Sequence, residues 1–137
     1  KYTCVDKHLD MKQQLRAAGL KATPGRLALL SVLAKESTPL PVNKLIECLT
    51  TAMNQATVYR ALKVLVSAGL VREVFVVKGA ASYELADRPH HHHVVCEGCG
   101  RVEDVTGQCV ELPQKPKTFK HVTGHQLEYA GICNDCA

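Results

Sequence analysis

Cys96 and Cys99, and again Cys133 and Cys136, are separated by two residues, and His90 to His93 form an unbroken run just ahead of the first pair. That spacing lets one tight turn present two thiolates to one ion. Two such pairs complete the tetrahedral shell that Zn²⁺ prefers. Oxidised pairs are the competing reading, but a redox Cys-x-x-Cys sits in a βαβ setting for which this sequence gives no sign. Four thiolates leave no open coordination position, so Cys96, Cys99, Cys133 and Cys136 are expected to hold a structural zinc rather than a catalytic one.

The histidine run offers different chemistry. On a strand, alternate side chains share a face, so His91 and His93 fall together and His90 and His92 fall on the other side. Two neutral imidazoles on one face chelate a single ion, and with carboxylates added they suit Zn²⁺, Fe²⁺, Ni²⁺ or Mn²⁺. Glu84 and Asp104 are the nearest acidic candidates in the chain. An adventitious histidine tract is the bland alternative.

The elements that carry these residues follow from the pattern along the chain. Asp10 to Ala18 reads as a helix closed by Gly19. Thr23 then supplies an N-cap with Pro24 at the first helical position, ahead of Leu27, Leu30 and Leu33 at helical spacing. Pro39 and Pro41 break that helix, and Val42 to Thr50 reads as a third. Asn54 opens a fourth that runs to Ala68 and stops at Gly69. Leu70 to Val77, a turn at Lys78 to Ala80, and Ser82 to Leu85 form a two-stranded wing. Beyond a polar hinge at residues 85–89, strands are expected at 92–96, 101–105 and 126–132, with the cysteine pairs as knuckles at their ends.

Charge divides the chain in the same place. Residues 1–83 hold 12 Lys/Arg against 5 Asp/Glu, whereas residues 84–137 hold 5 against 8. A basic winged helix-turn-helix joined to an acidic, metal-rich module fits nucleic-acid binding under metal control. In a winged helix the last helix enters the major groove N-terminus first, so Gln55, Thr57, Tyr59 and Arg60 would face DNA. The seven cysteines do not read as a secreted disulfide set: the count is odd and no charged-then-apolar leader opens the chain. A reducing cytoplasm and no membrane association are expected. No pairing of acid, base and nucleophile accompanies the metal ligands, so an enzyme is disfavoured.

Taken together, GLKATPGRLALLSVL (19–33), ATVYRALKVLVSAGLV (56–71), YEL (83–85), HHHHVVCEGCGRVEDV (90–105) and HQLEYAGICNDC (125–136) resemble the ferric uptake regulator superfamily of bacterial metal- and peroxide-responsive repressors. The resemblance covers essentially the whole chain. It implies an α+β protein: a winged-helix DNA-binding domain over 1–84, a hinge over 85–89, and a small α/β zinc-stabilised domain over 90–137 that dimerises and senses metal. It implies a homodimer repressing transcription from palindromic operator DNA. A regulatory Fe²⁺, Zn²⁺ or Mn²⁺ would sit at the hinge on Glu84, His91, His93 and, more loosely, Asp104. Lys21 matches a basic residue that reaches the minor groove in relatives.

The sequence departs from the family pattern at three points. Residues 35–42 contain no histidine where relatives supply a further sensing ligand, and His8, Cys4 or a water are the candidates to replace it. A further site on His90 and His92 would want a late histidine at the position where Ile132 stands, with Glu111 or His125 able to complete a variant. The segment from Thr106 to Gly124, interrupted by Gly107, Pro113 and Pro116, leaves little room for the dimerisation helix of relatives. A peroxide sensor of the same family, in which Fe²⁺ at the histidine site catalyses oxidation of histidine by peroxide, is the nearest alternative function. A zinc-stabilised metalloenzyme or interaction module is a more distant one.

Overall fold

The computed structural model describes residues 4–77, 80–107, 114, 116–122, 125 and 127–137, side chains of 4–9 and 75–77 excepted. It divides into two compact units, residues 1–88 and 89–137.

The first unit runs α1 (Cys4–Ala17), α2 (Pro24–Lys35), β1 (Leu40–Pro41), α3 (Val42–Leu49), α4 (Gln55–Ser67), β2 (Val71–Val77) and β3 (Ala80–Leu85). Each helix boundary has a local cause. Thr23 caps α2 by accepting from the Arg26 N–H at 3.3 Å, with Pro24 at the first position. Asn54 Oδ1 caps α4 by accepting from the Thr57 N–H at 2.9 Å. Helices α1 and α4 stop alike: Gly19 and Gly69 both sit at φ 75°, and the Leu20 and Leu70 amides reach back to the Leu15 and Leu65 carbonyls at 2.8 and 3.0 Å. This is the Schellman arrangement, and in both cases the leucine after the glycine packs onto the core.

That core is largely leucine. Leu15, Leu29, Leu30, Leu45, Leu62 and Leu65 are fully buried with Val58 and Val71. Each contributes about 1.5–3 kcal/mol relative to exposure. The wing forms an antiparallel sheet in the order β1-β3-β2, with a bulge between Glu73 and Val76. Helix α2 ends at Lys35, ahead of both prolines that were expected to break it, and Pro41 instead belongs to a short strand that pairs with Ser82 and leads into α3. Proline suits this edge position because it has no N–H to leave unpaired. Tyr83 is buried and donates to Glu73 at 3.2 Å; burial, and then the Glu73 charge, push its phenol up to about 12. The turn at Lys78 and Gly79 lies outside the described residues.

The second unit is one sheet in the order β5-β4-β6, from β4 (His92–Cys96), β5 (Val102–Val105) and β6 (Glu128–Gly131). Strand β4 is antiparallel to β5 and parallel to β6. Among the described residues of 89–137, Cys96 alone counts as a buried hydrophobic. With so little apolar burial among the described residues, a bound metal would contribute folding free energy to this unit. Residues 108–113, including Cys109, Glu111 and Pro113, lie outside the described residues, as do residues 115, 123, 124 and 126. Among the described residues, no helix is long and apolar enough to cross a membrane.

Candidate metal centres and nucleic-acid face

The parallel pairing of β4 with β6 sets Cys96 opposite Gly131, which brings both cysteine pairs to the same end of the sheet. The first knuckle is closed by the Gly100 N–H on the Cys96 carbonyl at 2.8 Å, the second by the Cys136 N–H on the Cys133 carbonyl at 3.0 Å. The four Sγ atoms lie within 4.8 Å of one another, and Cys99 and Cys133 Sγ are 3.7 Å apart. A regular tetrahedron with Zn–S bonds near 2.3 Å has edges of about 3.8 Å, so the four sulfurs are close enough for one zinc ion to gather. The Cys133 N–H donates to Cys96 Sγ at 3.3 Å; that contact, then one from the Cys99 backbone, draws the Cys96 thiol down to about 6. Stabilised thiolate is the form a metal requires.

Two further features support the cluster. A Cβ at Gly98 would stand 3.0 Å from Cys136 Sγ, so any larger residue there requires the second knuckle to give by a few tenths of an ångström. Arg101 pairs with Asp135 at 2.5 Å, joining the two knuckles from outside; Asp135 first, and then the nearby Cys133 charge, raise its guanidinium pKa. Neither residue stood out in the sequence.

The histidines separate into two pairs. The His91 and His93 rings are 4.6 Å apart, centre to centre. His91 Nδ1 is 2.6 Å from the Pro89 carbonyl oxygen. A carbonyl can only accept, so this contact is a hydrogen bond when Nδ1 carries the proton, the tautomer in which Nε2 is the ligand atom. His93, 5% exposed, pairs in register with Asp104, and its Nε2 is 3.5 Å from Asp104 Oδ1. On the other side, His90, His92 and His125 cluster with ring centres 4.8 to 5.2 Å apart and ligand atoms within 4.8 Å. The buried Nε2 of His92 has no hydrogen-bond partner among the described residues, an unfavourable state that a metal ion would relieve. Ile132 is 55% exposed, and it is His125 that joins this pair. Glu111 lies outside the described residues, as do the side chains of Cys4 and His8.

Glu84 lies on β3 in the first unit, buried, opposite Arg72 in the hairpin register. Its two oxygens accept from Arg72 at 2.9 Å and Arg88 at 2.6 Å. The sequence marked Glu84 but not its arginines. Both were legible in principle, one as a cross-strand neighbour and the other four positions on.

Residues expected to face DNA sit at the start of α4 and just ahead of α2. Gln55, Tyr59 and Arg60 are exposed, and Thr57 is half-buried. Arg60 Nη2 donates to Thr57 Oγ1 at 3.3 Å, which links the two side chains along the helix. Lys21 is exposed, and Arg26 holds its carbonyl at 2.9 Å. Arg26 also lines a cleft with Thr23, Met53, Thr57 and Arg60, adding a cation that the sequence reading passed over.

Residues 17–130 match the Ferric uptake regulator family. The chain is 34% identical over 135 residues to the ferric uptake regulation protein of Legionella pneumophila, covering 93% of this chain and 99% of the relative. It is 28% identical to the peroxide-responsive repressor PerR of Staphylococcus aureus, covering 89% and 86% of the two chains. Its fold matches the crystal structure of the Vibrio cholerae ferric uptake regulator with a TM-score of 0.73 at 33% identity, covering 89% and 98%. On this match over most of its length and on these similarities, the chain belongs to the ferric uptake regulator family of metal-responsive transcriptional repressors.

Proposed function

We propose that the protein is a cytoplasmic, metal-dependent repressor that binds palindromic operator DNA as a homodimer, and is not an enzyme. In this reading residues 1–84 bind DNA, 85–89 form the hinge, and 90–137 dimerise and sense metal. Lys21, Gln55, Thr57, Tyr59 and Arg60 contact the operator. Cys96, Cys99, Cys133 and Cys136 hold structural zinc, and His91, His93 and Asp104 with Glu84 hold a regulatory Fe²⁺, Zn²⁺ or Mn²⁺. His90, His92 and His125, with Glu111, are the ligands for a further ion.

One observation carries the reading: a closed four-thiolate cluster shares a small sheet with a histidine set of open coordination. The first donor set suits a permanent ion. The second, of neutral nitrogens and carboxylate, suits an exchangeable one. An ion bound in the second unit can bias the DNA-binding unit only if it is held more tightly in one conformation than in another. Zinc-loaded protein titrated with Fe²⁺, Mn²⁺, Zn²⁺ or Ni²⁺ is expected to gain affinity for its own promoter with at least one of them. Promoter binding that ignores every metal and survives His91→Ala with His93→Ala overturns the proposal.

Similarity to the peroxide-responsive repressors favours a second reading, in which peroxide ends DNA binding by the Fe²⁺-loaded protein. Release from the promoter together with an oxygen added to His91 or His93, detected by mass spectrometry, distinguishes it.

A further inference from the structure

Glu84 is 3% exposed, and neither of its carboxylate oxygens is idle: Oε1 accepts from Arg72 and Oε2 from Arg88. The second arm of Arg88, Nη2, donates to the Ser37 carbonyl at 2.7 Å, across 51 positions of sequence. One planar guanidinium thus ties β3 to the segment that follows α2. That is the segment, residues 35–42, in which the sequence offers no histidine. Two guanidiniums thus already occupy both oxygens of a buried carboxylate. A divalent cation approaching Glu84 must displace one of them and meets their positive charge.

We infer that Arg88 is a built-in competitor of the regulatory cation. It fastens Glu84 and the segment after α2 to each other when no metal is bound, and it gives up its grip on Glu84 when metal binds. The inference rests on the reading of Glu84 as a metal ligand. Arg88 then does two things that a histidine ligand in residues 35–42 would not. It organises that segment without metal, and it raises the metal concentration needed to engage Glu84. Lysine cannot do both, because its ammonium lacks the fixed fork that reaches two acceptors at once.

The test uses the zinc-loaded full chain and Mn²⁺ as probe, with calorimetric titration of wild type, Arg88→Gln, Arg88→Lys and Glu84→Gln. Arg88→Gln is expected to tighten Mn²⁺ binding by about tenfold or more, the order of one charge-assisted hydrogen bond, with Arg88→Lys in between. In the metal-free proteins, amide exchange at residues 36–38 is expected to quicken in both Arg88 variants. Mn²⁺ affinity unchanged or weakened in Arg88→Gln, while Glu84→Gln loses it, overturns the competitor role and leaves Glu84 a ligand. Unchanged exchange at residues 36–38 overturns the tie. Mn²⁺ affinity indifferent to Glu84→Gln removes Glu84 from the site, and the inference with it.

Discussion

His93 on β4 and Asp104 on β5 are register partners in an antiparallel pair, with His93 Nε2 3.5 Å from Asp104 Oδ1. A carboxylate so placed either ligates beside the imidazole or orients it, and in both roles its loss weakens metal binding. Asp104→Asn is expected to lower Mn²⁺ affinity by about 10–100-fold, with the fold unchanged by circular dichroism. An effect smaller than twofold would remove Asp104 from the regulatory set.

Zinc should decide whether the second unit folds. Chelation, or Cys99→Ser, is expected to collapse the dispersed amide signals of residues 89–137 while those of the leucine-cored first unit persist. Simultaneous loss of both sets would show that the first unit depends on the second.

Glycine 98 and glycine 131 offer a matched pair. A methyl at Gly98 meets Cys136 Sγ at 3.0 Å, whereas one at Gly131 meets nothing within 4 Å. Gly98→Ala should therefore release zinc to a chelator faster than wild type, and Gly131→Ala should not. Equal rates would mean the knuckle yields without cost.

Asn54 caps α4 through the Thr57 amide and hydroxyl, both at 2.9 Å. Asn54→Ala is expected to cost about 1 kcal/mol by denaturant titration of the first unit. Arg60→Ala, by contrast, should leave stability alone and reduce the salt dependence of promoter binding by about one phosphate contact. An unaltered salt slope would take Arg60 off the DNA backbone.

The buried phenol of Tyr83 predicts a loss of stability in alkali. Its pKa rises from 10.0 to about 12 on folding, so the contribution is intact below pH 10 and fades as pH climbs toward 12. Tyr83→Phe should flatten the stability profile over that window. A profile as steep as that of wild type would assign the loss to other groups.

What the sequence disclosed, it disclosed through short-range signals. The caps at Thr23 and Asn54, the glycine stops at 19 and 69 and the two cysteine pairs each act within a few residues, and each lies where it was expected. The histidines pair as expected, although only His92 and His93 lie on β4 and the other two precede it. Long-range partners were not. Arg88 reaches Ser37 across 51 positions, and the clustering of His125 with His90 and His92 depends on how β6 returns beside β4. No periodicity in residues 106–127 announces that return, and matching by position alone pointed to Ile132. The strand at Leu40–Pro41 was hidden because two prolines speak for a break and say nothing about an edge.

The parallel return of β6 also governs how this protein comes to be made. Cys99 and Cys133 are 34 positions apart, so the sulfur cluster closes a long loop and cannot assemble until both ends are present. At synthesis rates of about 5–20 residues per second, the first knuckle leads the second by roughly 2–7 s. Through that interval Cys96 and Cys99 are a bare dithiol. The first knuckle must therefore stay reduced until its partner arrives, so assembly of the four-sulfur set depends on thiols kept reduced as well as on zinc.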